Sequence, residues 1–176
     1  MLTLGDSYTS GDFFNSIGFR GVQIATDDRM LPDSLNGYAP VVRGVAQSNA
    51  LVEIRQNNQL IYQTTVAPGE FIINDLYPTG YGGDLNVTIN EADGSKRQFS
   101  VPYASVAQML RPGIQRYAIT AGRVRDDNLS KEPDMFQATY QRGFTNIITG
   151  YTGGIVSDGY GAVLVGSAVA TPIGAF

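Results

Sequence analysis

The residues best suited to chemistry lie near the start of the chain, in the run Gly5-Asp6-Ser7-Tyr8. The order Gly-Asp-Ser is one in which serine esterases place their nucleophile. A serine nucleophile needs a general base to accept its proton, and that base is most often histidine. The sequence contains no histidine, so a Ser–His–Asp relay cannot be built. Ser7 is therefore interpreted as a polar turn or strand residue.

Three other segments have some features of binding loops. Residues 150–154 and 159–161 are rich in glycine, but they lack the lysine and the following helix of a phosphate-binding loop. Residues 90–94 begin like a calcium loop, yet the later bidentate glutamate is absent, so a hairpin turn is the better interpretation. Glu53 and Glu70 could form an acid–base pair, but nothing in the sequence fixes their separation. The sequence therefore predicts no enzyme, no metal site and no cofactor.

Composition narrows the class of protein. The 176 residues include 12 basic and 16 acidic side chains, which argues against a nucleic-acid partner. Charged residues make up only 16%, below the roughly 25% of soluble domains. There is no cysteine, no visible signal peptide after Met1, and no apolar run near the ~18 residues of a membrane helix. A membrane protein built of strands passes these filters, because its apolar residues alternate.

The central part of the sequence predicts a compact β-sandwich. Several short segments alternate between apolar and polar residues, and turn signals such as Asn57-Asn58 and Asp93-Gly94 separate them. Short strands at such spacing are typical of a small sandwich. The predicted strands are residues 41–46, 50–55, 60–66, 71–73, 84–90 and 97–101. The predicted core comprises Val52, Ile54, Leu85, Val87, Ile89, Phe99 and Val101.

The two ends of the sequence predict longer strands of another kind. Residues 2–9, 19–26, 117–124, 136–141, 147–155 and 160–170 have roughly the length of a tilted strand that spans a bilayer. In the fourth of these segments Phe136, Ala138 and Tyr140 share one face, while Gln137, Thr139 and Gln141 share the other. The polar faces are uncharged and small. A long apolar edge strand such as residues 160–176 would promote aggregation in a soluble protein.

Two proline-bearing joints separate these regions: the entering joint, residues 30–40, and the returning joint, residues 110–113. Proline and glycine set the direction of the chain without taking part in strand pairing. Five residues of the joints are predicted to act as hinges, although ordinary domain linkers have the same composition. They are Pro32, Gly37, Pro40, Pro112 and Gly113.

Nearly the whole chain resembles, in order, the outer-membrane usher of the chaperone–usher pathway. The most specific similarity is in Asp27-Asp28-Arg29-Met30-Leu31-Pro32-Asp33-Ser34 and in Gly37-Tyr38-Ala39-Pro40-Val41-Val42-Arg43-Gly44. Further similar runs are Leu2-Thr3-Leu4-Gly5-Asp6 with Thr9, Ile17-Gly18-Phe19-Arg20-Gly21, Phe71-Ile72-Ile73-Asn74-Asp75-Leu76, Gly83-Asp84-Leu85-Asn86-Val87, Glu91-Ala92-Asp93-Gly94-Ser95, Val101-Pro102-Tyr103 and Arg116-Tyr117-Ala118-Ile119-Thr120-Ala121-Gly122.

The resemblance implies an all-β chain in which an immunoglobulin-like sandwich, the plug, is inserted between antiparallel strands of a partial transmembrane β-barrel. It implies barrel strands in residues 1–38, the plug in 39–112 and further barrel strands in 113–176. The expected function is gating of a pore that assembles and secretes pilus subunits delivered by a periplasmic chaperone. The expected location is the bacterial outer membrane, and the expected partners are chaperone–subunit complexes, the remaining barrel and membrane lipid. The chain is expected to be a middle piece of an usher.

The resemblance also suggests which side chains hold the plug in place. Phe13 and Phe14, in the bend 10–18, are expected to brace it from the side. Polar and ionic contacts between plug and barrel are expected from the charged residues of the sandwich. These residues are Glu53, Arg55, Glu70, Asp75, Asp84, Glu91, Lys96 and Arg97.

Two alternatives remain open from the sequence. One is a soluble β-sandwich module such as an adhesin or a pilus subunit. The other is a carbohydrate-binding or hydrolytic β domain, for which Tyr77 and Tyr81 would supply aromatic platforms. A dependence on detergent would distinguish barrel strands from either soluble module.

Overall fold

The computed structural model describes residues 1–79, 82–103, 108–125, 132–171 and 174–175. These residues form thirteen strands and two short 3-10 turns, at Asp28–Met30 and Asp33–Leu35. The part of the chain so described contains no helix long and apolar enough to cross a membrane. The expectation of an all-β fold is confirmed.

Six strands in the middle of the chain form the sandwich. Its larger sheet has the order β5-β4-β7-β8, and its smaller sheet pairs β3 with β6, all antiparallel. Asn57 and Asn58 take the left-handed conformation that the hairpin between β4 and β5 requires. The strands are β3 (Val42–Ala46), β4 (Ala50–Gln56), β5 (Gln59–Val66), β6 (Gly69–Ile73), β7 (Leu85–Glu91) and β8 (Lys96–Val101).

Alternating residues of both sheets fill the core of the sandwich. Val52 and Ile54 of β4 face Leu85, Val87 and Ile89 of β7, and all five are almost completely buried. Phe99 and Val101 pack on this cluster from β8, as the alternation predicts. Each such aliphatic side chain contributes roughly 1.5–3 kcal/mol by leaving water, so the sandwich has a core of its own.

The remaining strands form one large antiparallel sheet of order β1-β2-β9-β10-β11-β12-β13. Most of these strands have about the lengths predicted from the sequence. They are β1 (Leu2–Tyr8), β2 (Gly18–Ala25), β9 (Gln115–Val124), β10 (Asp134–Gly143), β11 (Ile148–Ser157), β12 (Tyr160–Thr171) and β13 (Gly174–Ala175). The last of them, a two-residue strand, was not predicted from the sequence.

The large sheet has one apolar and one polar face. The outer face exposes large apolar side chains, with Val163 at 83% and Val165 at 79% exposure. Leu4, Ile24 and Phe136 lie on the same face and are also exposed. The inner face carries buried, uncharged polar side chains: Gln23, Thr120, Gln137, Gln141 and Thr149.

The sandwich is inserted between two strands that are direct neighbours. β2 pairs with β9 from Phe19↔Val124 to Ala25↔Ala118, so the large sheet continues without a gap where the chain leaves it. The chain departs after Ala25 and returns at Gln115. The predicted arrangement, a sandwich between antiparallel strands, is confirmed; the exact domain limits 1–38, 39–112 and 113–176 stay a prediction.

The bend between β1 and β2 folds onto the inner face of the large sheet. The backbone N–H of Thr9 donates to the carbonyl of Ile17 at 2.9 Å and closes the bend. The Phe13 ring stacks on Tyr151 of β11, with the centroids 5.0 Å apart. Phe14 packs on a small cluster around Phe19, Met135 and Ile155. These contacts are with the large sheet, so bracing of the sandwich by Phe13 and Phe14 stays a prediction.

Candidate functional site

The sandwich is attached to the large sheet at the loop between β10 and β11. The Asn146 side chain accepts a hydrogen bond from the Val41 N–H at 2.9 Å and donates to the Val41 carbonyl at 2.8 Å. The Tyr38 hydroxyl donates to the Asn146 backbone carbonyl. One asparagine therefore satisfies both backbone groups of Val41 at the point where the chain enters the sandwich.

A second set of contacts between the sandwich and the large sheet lies on the inner face of that sheet, beneath the returning joint. The Leu110 N–H donates to the Thr149 hydroxyl at 3.0 Å, and the Gln141 side-chain amide donates to the Gln108 carbonyl at 2.5 Å. Ala168 and Ala170 of β12 belong to the same apolar cluster as the core of the sandwich. The contact between the two bodies therefore combines polar groups of β10 and β11 with small apolar groups of β12.

Arg111 lies at the centre of both joints and is only 3% exposed. Its guanidinium donates to the carbonyls of Gly37 at 3.0 Å, Asn74 at 3.1 Å and Leu76 at 2.6 Å, and also to the carbonyl of Ser34. Two of these acceptors are in the entering joint, and two follow β6. A single side chain thus connects the returning joint, the entering joint and the base of the sandwich.

Burial shifts the pKa values of the groups around this point. Desolvation lowers the pKa of Arg111 below its ordinary value, because the charged form loses its water. Burial, with a contribution from Tyr103, raises the pKa of Tyr38 to about 12. The Tyr38 hydroxyl is therefore neutral at physiological pH and can keep donating to Asn146.

The five predicted hinge residues have different surroundings. Pro40 is fully buried, and the Gly37 carbonyl is held by Arg111, so these two lie in packed structure. Pro32 is exposed and precedes the second 3-10 turn. Pro112 forms a bridge to Gly143, and Gly113, exposed and left-handed at φ +85°, donates its N–H to the Gly143 carbonyl. Hinge motion at any of them stays a prediction.

Eight charged residues are predicted from the sequence to hold the sandwich in place. Those that have a partner in the described structure bond to other residues of the sandwich. Glu53 pairs with Arg55 at 3.4 Å, and Glu91 with Arg97 at 2.6 Å. Asp75 accepts from the Tyr62 hydroxyl, and Asp84 from the Ser100 hydroxyl. Glu70 and Lys96 are exposed. Their predicted contacts with a barrel stay a prediction.

The residues that hold the sandwich on the large sheet were missed by sequence reasoning. Asn146, Thr149 and Gln141 are uncharged and bond to backbone groups at or beside the two joints, whereas Arg111 bonds to carbonyls of the entering joint and of the sandwich. An available signal was the single arginine inside the returning joint, next to Pro112. The polar alternation of β10 and β11 was recognised, but it did not indicate which of its residues would meet the sandwich.

The segments considered for chemistry have structural roles. Asp6 accepts hydrogen bonds from Arg20 at 2.6 Å and from Arg125 at 3.1 Å, and Ser7 lies opposite Phe19 in the ladder of β1 and β2. Residues 150–154 lie inside β11, and Asp93-Gly94 forms the turn between β7 and β8. Of the aromatic pair considered for carbohydrate binding, Tyr77 is exposed and Tyr81 lies outside the described residues.

Comparison with known proteins gives a consistent result. The outer membrane usher protein family model matches residues 1–176. The usher MrkC of Klebsiella pneumoniae is 55% identical over 171 residues, which are 97% of this chain and 21% of the relative. The usher HtrE of Escherichia coli K12 is 52% identical over 176 residues, which are 99% of this chain and 20% of the relative. The chain thus spans about one fifth of the length of these relatives.

A solved structure agrees with the sequence comparison. The cryo-EM structure of the Escherichia coli P pilus tip assembly intermediate PapC-PapD-PapK-PapG, in the second conformation, contains a similar chain. The TM-score is 0.57 at 36% identity, and the similarity covers 96% of this chain and 21% of that one. On the family match over its entire length, this chain belongs to the outer membrane usher proteins.

Proposed function

We propose that residues 39–112 are a plug that closes the pore of an outer membrane usher until a pilus subunit is secreted. Residues 1–38 and 113–176 then supply strands of the pore wall. The plug blocks the lumen at rest and moves aside as one body when secretion starts.

The observation that carries the proposal is the direct pairing of β2 with β9. Because these strands form one ladder, the wall is continuous where the sandwich is attached. The sandwich can leave the inner face without breaking any strand pairing of the large sheet. An insert with its own core, attached at two neighbouring points, is suited to rigid-body motion.

The two faces of the large sheet support this orientation. An apolar outer face with Val163 and Val165 exposed suits contact with membrane lipid, whereas an uncharged polar inner face suits a lumen. The contacts of Asn146 and Thr149 hold the sandwich on the inner side.

Only a few hydrogen bonds connect the sandwich with the large sheet in the described part of the chain, and a gate needs such a limited set of contacts in order to open. Each hydrogen bond contributes about 0.5–1.5 kcal/mol net, so the few that connect the two bodies are worth several kcal/mol together. A difference of about 5.5 kcal/mol is enough to change a two-state population from 1:99 to 99:1. The sandwich is therefore held firmly, yet partner binding could release it.

The partners follow from the same proposal. The solved relative was determined in the complex named PapC-PapD-PapK-PapG, a pilus tip assembly intermediate. We extend this to the present chain as binding of periplasmic chaperone–subunit complexes, mostly through usher domains outside these 176 residues. No cofactor or nucleotide is part of the scheme.

Removing the plug tests the proposal. In the complete usher that contains this sequence, deletion of residues 41–110 should raise single-channel conductance in planar bilayers, because the lumen loses its obstruction. Asn86→Ala, on the exposed surface of the sandwich, is the matched control and should conduct like the wild type. Unchanged conductance after the deletion would refute the plug function.

A further inference from the structure

Three separate parts of the chain meet at the Arg111 guanidinium. Ser34 and Gly37 belong to the entering joint, Asn74 and Leu76 follow β6, and Arg111 itself belongs to the returning joint. All four acceptors are backbone carbonyls. Among the described residues, Arg111 forms no ion pair.

Only arginine can serve this arrangement. The guanidinium has five donors in a rigid planar fork, which can reach acceptors on several sides at once. A lysine ammonium is a compact charge with three donors and a different geometry. A buried cation is tolerated only where its donors are satisfied, so the four carbonyls are needed as a set.

The surroundings of Arg111 make the inner ends of both joints part of the sandwich. Tyr38 and Ala39 of the entering joint, and Met109 beside the returning joint, are buried in the sandwich core. Pro40 is also fully buried. Motion at Gly37 or Pro40 would therefore break core packing as well as the bonds of Arg111.

The outer ends of both joints belong instead to the large sheet. The Thr26 N–H donates to the Tyr117 carbonyl at 2.9 Å, and the Gly113 N–H donates to the Gly143 carbonyl at 3.0 Å. Asp28 pairs with Arg116 of β9. The segments between the two bodies are thus residues 29–33, which run from the first 3-10 turn into the second and where Met30 is 80% exposed, and the link from Arg111 to Pro112, which itself bridges to Gly143.

We propose that Arg111 fixes both joints to the sandwich, so that the plug pivots at residues 29–33 and at Pro112, and not at Gly37 or Pro40. This inference rests on the proposed plug function. It assigns Arg111 a positioning role in gating.

Substitution of Arg111 in the complete usher tests the role of the side chain. Arg111→Lys keeps the charge but loses the fork, so residues 34–38 should exchange their amide hydrogens faster. Closed-state conductance should rise severalfold, while amides of β4 and β7 remain protected. Asn86→Ala, at an exposed position of β7, should behave like the wild type in both measurements. Wild-type exchange and conductance in Arg111→Lys would overturn the proposal.

Cross-links test the position of the pivot while Arg111 stays in place. The chain has no cysteine, so each introduced pair is the only one within it. A disulfide between Ser34→Cys and Asn74→Cys joins parts that Arg111 already connects, and openings in bilayers should continue. A disulfide between Val41→Cys and Asn146→Cys joins sandwich to sheet, and openings should stop until dithiothreitol is added. Mass spectrometry verifies each bond.

The outcomes separate the two proposals. If the Ser34–Asn74 cross-link stops opening, the pivot lies inside the joint and the inference is wrong. If deletion of residues 41–110 raises conductance while Arg111→Lys changes nothing, the plug function stands and the role of Arg111 falls. If the deletion itself has no effect, the plug function fails first.

Discussion

The Glu91 side chain lies at the end of β7 with only 1% of its surface exposed. Its carboxylate accepts hydrogen bonds from the backbone N–H groups of Gln47 at 3.0 Å and Ser48 at 2.9 Å, and from Arg97 at 2.6 Å. The turn between β3 and β4 is thereby tied to the end of β7 in the larger sheet. Glu91 and Arg97, predicted from the sequence to contact the barrel, thus bond to each other inside the sandwich.

These bonds predict a loss of stability in acid. Hydrogen bonds from Gln47, Ser48 and Arg97 lower the pKa of Glu91 from 4.5 to about 2. The stabilisation is fully present above pH 4.5 and is lost as the pH falls from there through about 2, because the carboxylate must take up a proton. Urea unfolding across this range should show a falling free energy of unfolding, with a shallower slope in Glu91→Gln. Glu70→Gln, at an exposed position, is the control; an equal slope in both variants would contradict the prediction.

The polar residues beside the candidate nucleophile also have a structural role. Asp6, beside the serine first considered as a nucleophile, pairs with Arg20. Membership of the usher family confirms that the chain is not an enzyme and that it is a protein of the outer membrane. The described bonds of Asn146, Thr149 and Glu91 hold backbone segments in position.

At the scale of elements, β10 ends where the returning joint crosses it. A methyl group at Gly143 would overlap the backbone carbonyls of Arg111 and Leu110. Only a residue without a side chain allows the joint to lie this close to the strand. Gly143 therefore helps to set how closely the sandwich is held on the large sheet.

Gly143→Ala should displace the returning joint. Overpacking against backbone typically costs about 1–3 kcal/mol, and here it should also weaken the bond between Leu110 and Thr149. Faster amide exchange at Leu110 and lower thermal stability in detergent are the expected results. Gly154→Ala is the control, because its added methyl group would have its nearest contact at 3.8 Å. Equal effects of the two substitutions would count against close approach as the cause.

The strands could be predicted because their signals are local. Alternation places Val52 and Ile54 in the core of the sandwich and Gln137 on the polar face of the large sheet. All three side chains are buried there. Asn57-Asn58 likewise predicts the hairpin between β4 and β5, and both residues take the left-handed conformation. The contact between sandwich and sheet could not be predicted, because it joins residues distant in sequence through backbone carbonyls. Nothing in the sequence near Asn146 indicates that Val41, 105 positions earlier, will be its partner.

At the scale of the whole molecule, the contact between the two bodies depends on a few uncharged groups. The sequence suggested an ionic contact, yet the described bonds between sandwich and large sheet come from Asn146, Thr149, Gln141 and Tyr38. Such bonds are less sensitive to salt than exposed ion pairs. Closure of the proposed pore should therefore depend more on geometry than on ionic strength.

Asn146→Ala tests how much one such residue contributes to closure. The substitution removes both side-chain bonds to Val41, worth about 1–3 kcal/mol together at 0.5–1.5 kcal/mol each. If the sandwich opens as one body, the ratio of open to closed time in bilayers should rise about 5- to 150-fold. Asn86→Ala, at an exposed position of β7, removes the same side chain away from the large sheet and should leave the ratio unchanged. An equal ratio in Asn146→Ala and wild type would mean that this loop does not hold the plug, and that closure depends on the contacts along β11 and β12 instead.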